Sequence, residues 1–294
     1  MSHKVFGIGE ILWDLLPSGL QMGGAPTNFT CHAHALGADA GIISRVGEDD
    51  LGREICVRLQ ALGVSVSGVG TDATHSTGTV SVELDGAGQA RYTIHENVAW
   101  DHLQASPTLL AAMQQADAVC FGSLAQRSAE SRKAIRQLVE ATPAAALRVF
   151  DINLRQKFYS EELLDASFAL ANVVKLNDVE LGIVSHIFKL GDTPETQMAA
   201  LLDRWHLRAV ACTRGAHGSL LFDGASWSDQ AGLPAEVSDT IGAGDSFTAA
   251  MTIGLLRGWS LEKIGSTANE VAAFVCSCAG ATPALPERLR APFA

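Results

Sequence analysis

The sequence predicts an α/β protein: a doubly wound, mostly parallel sheet flanked by helices, with a small β-sheet lid. Three observations carry this. Short apolar runs of strand length alternate with segments of helical period along almost the whole chain. Between about 77 and 95 that alternation gives way to a hairpin pattern of period two. No internal repeat, low-complexity segment or linker divides the 294 residues. The chain therefore reads as a single domain, 1–294, with a lid formed by about 11–24 and 75–101 within it.

Val5-Phe6-Gly7-Ile8-Gly9 reads as a first, buried strand. Gly7-x-Gly9 hints at a dinucleotide fingerprint, but Leu12 holds the third glycine position and no helix opens there, so that site is rejected. The strand leads to Glu10 and to Asp14 in Ile11-Leu12-Trp13-Asp14. Gly23-Gly24-Ala25-Pro26-Thr27-Asn28 follows, and Pro26 suits the start of a helix that runs to Leu36 and closes at Gly37. A strand at 40–46, a helix at about 50–62 (Asp49 as cap, Gly63 as stop) and a strand at 64–69 continue the βαβ pattern. Thr77 to Glu83 then alternates, with Val80, Val82 and Leu84 on one face. Asp85-Gly86-Ala87-Gly88 turns, and Arg91 to His95 returns. This hairpin should join residues near 12–24 in a small sheet outside the main one, a natural lid.

Beyond Trp100 the alternation resumes. Strands are expected near 118–121, 148–152, 172–176, 208–213 and 219–222, and helices near 107–115, 128–141, 161–170, 178–189, 193–205, 242–257 and 261–279. Polar residues crowd the carboxyl ends of three strands: Asp151-Ile152-Asn153-Leu154-Arg155, Asn177-Asp178-Val179-Glu180 after a strand carrying Lys175, and Thr213-Arg214-Gly215-Ala216-His217-Gly218. Any one of them is ordinary loop chemistry. Three at one sheet edge point to a ligand site.

The chain is organised around Asp239-Thr240-Ile241-Gly242-Ala243-Gly244-Asp245-Ser246-Phe247. A polar run ends there and a helix opens, so Gly242-Ala243-Gly244 lies on a first turn with free N–H groups. Two glycines let a ligand approach, and free amides with the positive helix end make an anion site, usually for phosphate. Asp245 has two readings. It is a dipole-stabilised capping carboxylate, or, if the anion is a phosphoryl group in transfer, it is the base for the attacking hydroxyl.

Hydrophobic content of 47% allows a large core, and no run approaches the length of a membrane span. Met1-Ser2-His3-Lys4 leads straight into a strand, so no signal peptide is expected. A formal charge of −11 with scattered basic residues argues against a nucleic-acid surface. Six cysteines without CxxC spacing read as reduced core thiols of a cytoplasmic protein rather than a zinc site. His32 and His34 are two apart, so a helix points them in different directions, and neither is read as a ligand. There is no Gly-Lys dipeptide, hence no Walker A loop, and no HExxH or GxSxG.

Taken together, these residues resemble the ribokinase-like (pfkB) carbohydrate kinases over essentially the whole chain. Asp239-Thr240-x-Gly242-Ala243-Gly244-Asp245 looks like the family's C-terminal signature. Gly23-Gly24-Ala25-Pro26-x-Asn28 with Gly47-x-Asp49-x-x-Gly52 looks like the N-terminal one. The Gly-Gly-Ala-Pro form is most similar to fructokinases. The resemblance implies Asp245 as base and the amides of Gly242, Ala243 and Gly244 as anion hole. It implies Asp14, Gly24 and Asn28 as holders of sugar hydroxyls, and Asn177 and Glu180 as the element organising Mg²⁺ and its waters. It further implies that Thr213, Gly215 and Gly218 line the ATP channel, and that Asn269 and the turn at Gly280 lie by the adenine. Many relatives also bind K⁺ through Asp239 and carbonyls near Gly280, although Ala284 stands here where ribokinases often place a serine. Pairing through the lid, common in relatives, makes a homodimer a further expectation.

The leading expectation is an ATP-dependent sugar kinase acting on fructose, with sugar and ATP as its small-molecule partners and neither nucleic acid nor membrane among them. Arg155, in Asp151-x-Asn153-Leu154-Arg155, follows a strand that should end beside the sugar. It either forks a substrate carboxylate, which makes 2-keto-3-deoxygluconate the alternative substrate, or pairs with ATP phosphates or a nearby acid. A catalytically silent sensor on the same fold is a remoter alternative.

Overall fold

The computed structural model describes residues 2–16, 19–84 and 90–294. The chain opens with β1 (Lys4–Ile8), β2 (Leu12–Leu16) and β3 (Gly19–Gly23), then α1 (Ala25–Ala35), β4 (Asp39–Gly47), α2 (Asp50–Ala61) and β5 (Ser65–Asp72). The hairpin strands are β6 (Gly78–Leu84) and β7 (Ala90–Ile94). Next come α3 (Pro107–Met113), β8 (Ala118–Phe121), α4 (Ala129–Glu140), β9 (Leu147–Asp151) and α5 (Glu161–Leu170). They are followed by β10 (Val173–Asn177), α6 (Asp178–Phe188), α7 (Pro194–Trp205), β11 (Ala209–Thr213), β12 (Ser219–Phe222) and β13 (Trp227–Gln230). The chain closes with α8 (Ala243–Leu256), α9 (Leu261–Cys276) and a short α10 (Glu287–Arg290).

Among the described residues the main sheet has nine strands in the order β13-β12-β11-β10-β9-β8-β1-β4-β5. It is parallel except at β12 and β13, which pair antiparallel at one edge. The order reverses between β1 and β8, the switch point at which such sheets place ligands. Each central strand is buried on both faces, which is why it reads as a continuous apolar run. Phe121, Phe150, Leu176 and Val210 pack with Ile135, Phe168, Val184 and Leu201 on one side. Val5, Cys120, Val149 and Ala211 pack with Phe29, Phe247, Met251 and Val271 on the other.

The small sheet has the order β3-β2-β6-β7. Its pairing puts Gln21, Asp14, Val80 and Ile94 opposite one another in a single row, and cross-strand neighbours share a face. Val80 and Ile94 are buried on that face, whereas Tyr92 is exposed. The expected turn at 85–88 lies outside the described residues. Asp49 fixes where this sheet leaves the body. It caps α2 by accepting from Gly52 N at 2.8 Å, and it also accepts from Thr77 N at 2.8 Å and Thr77 Oγ at 2.6 Å.

Two boundaries and one strand differ notably from expectation. The helix expected at 261–279 ends at Cys276, because the Cys276 carbonyl accepts the amides of Ser238 and Asp239 instead of continuing the helical ladder. The strand expected at 64–69 runs on to Asp72, whose carboxylate then turns the chain by accepting from Thr74 and His75 amides. Strand β13 carries no clear alternation in Trp227-Ser228-Asp229-Gln230 and owes its place to pairing with β12.

Candidate active site

The carboxyl ends of the parallel strands gather the polar groups. Lys175 lies opposite Asp151, and Asn177 opposite Thr213, so the three polar strand ends do share one edge. Glu10 follows β1 at the switch point.

Over this edge stands the first turn of α8. Gly242, its N-cap, has φ +81°, and a Cβ there would fall 2.2 Å from the carbonyl oxygen of Ala281, so only glycine fits. No side chain caps the turn. Among the described residues the backbone N–H groups of Gly242, Gly244 and Asp245 meet no main-chain acceptor, and that of Ala243 reaches Thr240 O only at 3.4 Å. Asp239 builds the turn: its carboxylate accepts from Ile241 N at 3.0 Å and from Gly280 N at 3.2 Å. Behind it, Ser246 to Gly254 are all buried, so the helix end is held rigidly.

The buried ammonium of Lys175 lies beneath Gly244, 2.9 Å from where a Cβ would stand. It pairs with Asp151 at 3.2 Å. The Thr248 hydroxyl shares its single proton between Asp151 Oδ2 at 2.7 Å and the Gly244 carbonyl at 2.9 Å. Burial alone would lower the Lys175 pKa, but Asp151, Glu180 and Asp245 outweigh it and the net shift is upward.

Asp245 accepts a hydrogen bond from Asn28 Nδ2 at 2.8 Å. Burial pushes its carboxyl up to about 6; Asp151 adds to the shift, while Asn28, Lys175 and Arg155 oppose it. The result is a carboxyl poised near neutral pH, where a general base works best. Asp14, in the row across the small sheet, is pushed up to about 6 by burial, against Arg155 and with Asp239. Gly24, at φ +107°, closes on the Glu10 carbonyl, which lies 2.4 Å from where a Cβ would stand. Arg155 is exposed and donates to the carbonyl of Leu154, the residue before it, at 3.0 Å.

Asn177 and Glu180 form a capping box on α6: Glu180 N donates to Asn177 Oδ1 at 2.8 Å, and Asn177 N donates to Glu180 Oε2 at 2.9 Å. Glu180 Oε1 also accepts from Leu154 N at 2.9 Å. One carboxylate thus ties two strand-end loops together. Thr213 donates to Leu176 O at 3.4 Å. Gly215 has open space around it, whereas Gly218 is closed by the backbone of the loop after β13, with Gln230 O 2.0 Å from a hypothetical Cβ. The close approach at Gly218 requires a glycine there. Asn269, buried on α9, reaches that same loop at Ala231 O, at 3.5 Å.

With this geometry in hand, a model of the pfkB family carbohydrate kinases matches residues 19–288. The chain belongs to the pfkB family. The Salmonella typhimurium fructokinase is 32% identical, covering 97% of each chain. A sugar kinase from Pyrococcus horikoshii is 30% identical over 98% of this chain and 96% of its own. Its crystal structure in complex with ATP aligns with a TM-score of 0.79 over 95% of this chain and 94% of that one, at 26% identity. The aminoimidazole riboside kinase from Salmonella enterica aligns with a TM-score of 0.81 over 99% and 100%, at 25% identity. The protein is an ATP-dependent carbohydrate kinase, and no helix among its described residues is long and apolar enough to cross a membrane.

The site of this pfkB kinase suits a phosphorylated co-substrate: an uncapped helix end, amides without main-chain acceptors, and a buried cation beneath them. Among the described residues no three His, Cys, Asp or Glu converge as a metal cage. The Asn177–Glu180 pair offers an amide and a carboxylate, oxygen donors of the kind that suit Mg²⁺, which usually keeps several waters and binds phosphate oxygens.

Thr248 was not singled out in the sequence, and Glu10, Asp151 and Lys175 were named there only as polar residues on or after strands, without roles. Glu10 is 1% exposed, and its Oε1 accepts from Ala25 N at 3.3 Å. Burial pushes its carboxyl up to about 7; backbone amides and Arg155 oppose this and the Asp245 charge adds to it. The available signal was a charged residue two positions after the apolar strand β1.

Proposed function

We propose that this kinase is a fructokinase, in which Asp245 takes the proton from a sugar hydroxyl as its oxygen attacks the γ-phosphorus of ATP. The observation that carries the proposal is the Asn28–Asp245 bond at the uncapped start of α8. It holds a carboxyl, raised to about 6, beside free amides. The amides of Gly242, Ala243 and Gly244 would receive the charge of the transferring phosphoryl group. Asp14, Gly24 and Asn28 would hold the sugar, with Asn28 Oδ1 buried and unpartnered among the described residues. The small sheet would act as the lid. Thr213, Gly215 and Gly218 would line the ATP channel, with Asn269 and the turn at Gly280 by the adenine.

Mg²⁺, when bound, would neutralise phosphate charge, and the Asn177–Glu180 element would hold its water shell. Each Glu180 oxygen already accepts one amide, which favours contact through water. A K⁺ beside Asp239 and a homodimer through the small sheet complete the proposal. They are tested by exchanging K⁺ for Na⁺ in the assay and by light scattering.

Fructose is supported by curated relatives named fructokinase at 31% and 32% identity. One observation favours an acidic sugar instead: the exposed Arg155 guanidinium, whose charge acts on Asp14, Glu10 and Asp245. Comparing fructose with 2-keto-3-deoxygluconate on wild type and Arg155→Ala separates the two. A fructokinase has the higher kcat/KM on fructose in both proteins. If the acidic sugar wins and losing Arg155 removes only that preference, the fructose assignment fails.

A further inference from the structure

Helix α1 carries two buried polar residues one turn apart, and both reach the phosphoryl end of the site. Asn28 meets Asp245. His32, 1% exposed, places Nε2 at 2.9 Å from the carbonyl oxygen of Ala281. A carbonyl only accepts, so Nε2 carries the proton and donates. Burial pushes the imidazole down to about 4, which keeps this neutral donor across the working pH range. His34, two residues on, points elsewhere and packs against Gly63.

The Ala281 carbonyl is the surface on which Gly242 rests. A Cβ on Gly242 would lie 2.2 Å from that oxygen and 2.8 Å from the Ala281 carbonyl carbon and Cα. The preceding residue is fixed from the other side, since Gly280 N donates to Asp239 at 3.2 Å. Asp239 in turn accepts from Ile241 N inside the turn. Segment 280–281 is thus clamped by Asp239 through its N–H and by His32 through its C=O, and the N-cap of α8 lies against the clamped carbonyl.

We infer that His32 is a positioning residue of the kinase: by holding the Ala281 carbonyl it sets where Gly242 sits, and so where the free amides of α8 point. The inference rests on the assignment of that turn to the transferring phosphoryl group. An oriented donor set loses its effect with small displacements, because its dipoles must already face the charge that develops. A core histidine that merely satisfies itself would affect folding and nothing more specific. His32 would couple the helix bearing Asn28 to the loop beneath the anion turn, so both halves of the site are placed by one element.

The test compares His32→Leu, His32→Asn and His32→Gln with wild type. Leucine removes the donor, asparagine is too short to reach Ala281, and glutamine restores an N–H at similar reach. Kinetics use fructose and MgATP, calorimetry measures MgATP affinity without sugar, and hydrogen exchange follows peptides covering 239–245 and 277–284. Leu and Asn should lower kcat by about tenfold to about a hundredfold, with the KM for fructose unchanged and faster exchange confined to those two segments. Gln should recover both. Unchanged exchange there with kcat within twofold of wild type overturns the inference. So does a loss that Gln fails to rescue, or exchange that quickens throughout α1. If wild type does not phosphorylate fructose, the sugar assignment has failed on its own. MgATP affinity and exchange then still decide His32: expected are weaker binding and local exchange in Leu and Asn, with recovery in Gln.

Discussion

Asn28 donates its side-chain amide to the carboxylate of Asp245 at 2.8 Å, joining the first turn of α1 to the first turn of α8 across 217 residues of sequence. The bond orients the carboxylate and opposes the burial that raises its pKa. A hydrogen bond to a charged group contributes about 1.5–3 kcal/mol. Asn28→Ala should therefore lower kcat/KM by roughly tenfold to a hundredfold. It should also move the acidic limb of the pH profile to higher pH. A profile unmoved in Asn28→Ala would show that the bond does not tune Asp245.

The pH dependence follows from two raised carboxyls, those of Asp245 and Glu10. As a base, Asp245 must be ionised, so kcat/KM should rise with pH through about 6 and level above it. Glu10 acts on stability with a defined sign. Its folded pKa of about 7 lies above the ordinary 4.5, so its contribution is complete below about 4.5 and is lost as pH rises through 7. Glu10→Gln should unfold at higher temperature than wild type at pH 8, and lose that advantage near pH 5. Equal melting temperatures at pH 8 would contradict an ionised, buried Glu10.

Much of this fold was legible because its physics is local. Pro26 and Gly37 bracket α1, Asp49 caps α2, and both-face burial writes β8 to β11 as apolar runs. The glycine turn at 242–244 was equally plain, since only a helix start with no side-chain cap needs that pattern. The clamps were not legible. Nothing local in Cys-His-Ala marks His32 as a donor to Ala281, 249 residues away. Lys175 in a buried strand gives no hint that its partner is Asp151 on the neighbouring strand. Such pairs are specified by strand order, which periodicity does not encode.

The Lys175–Asp151 pair lies beneath the anion turn with both side chains under 9% exposed. Removing one partner of a buried pair leaves an uncompensated charge and costs about 3–5 kcal/mol. Lys175→Met should lower the melting temperature by roughly 10 °C, and the double variant Lys175→Met with Asp151→Leu should recover most of that loss. Similar melting temperatures for the single and double variants would mean the pair is not coupled.

The small sheet should close over the sugar, because the Gln21–Asp14–Val80–Ile94 row puts a carboxyl and buried apolar side chains on one face. Amide exchange in 78–84 and 90–94 should slow when saturating fructose is added. Equal exchange with and without a sugar that the enzyme demonstrably phosphorylates would leave this sheet a structural role only.

The most direct measurement is turnover of Asp245→Asn alongside its affinities for sugar and MgATP. Asparagine keeps the shape and can still meet Asn28, but it cannot take a proton where the Asp245 carboxylate now stands. Loss of a general base costs roughly 10²–10⁴-fold. The expected result is kcat lowered by that factor, with both dissociation constants within about threefold of wild type, since the contacts that bind are retained. A variant that keeps more than about a tenth of wild-type kcat would contradict the assignment of Asp245 as the base.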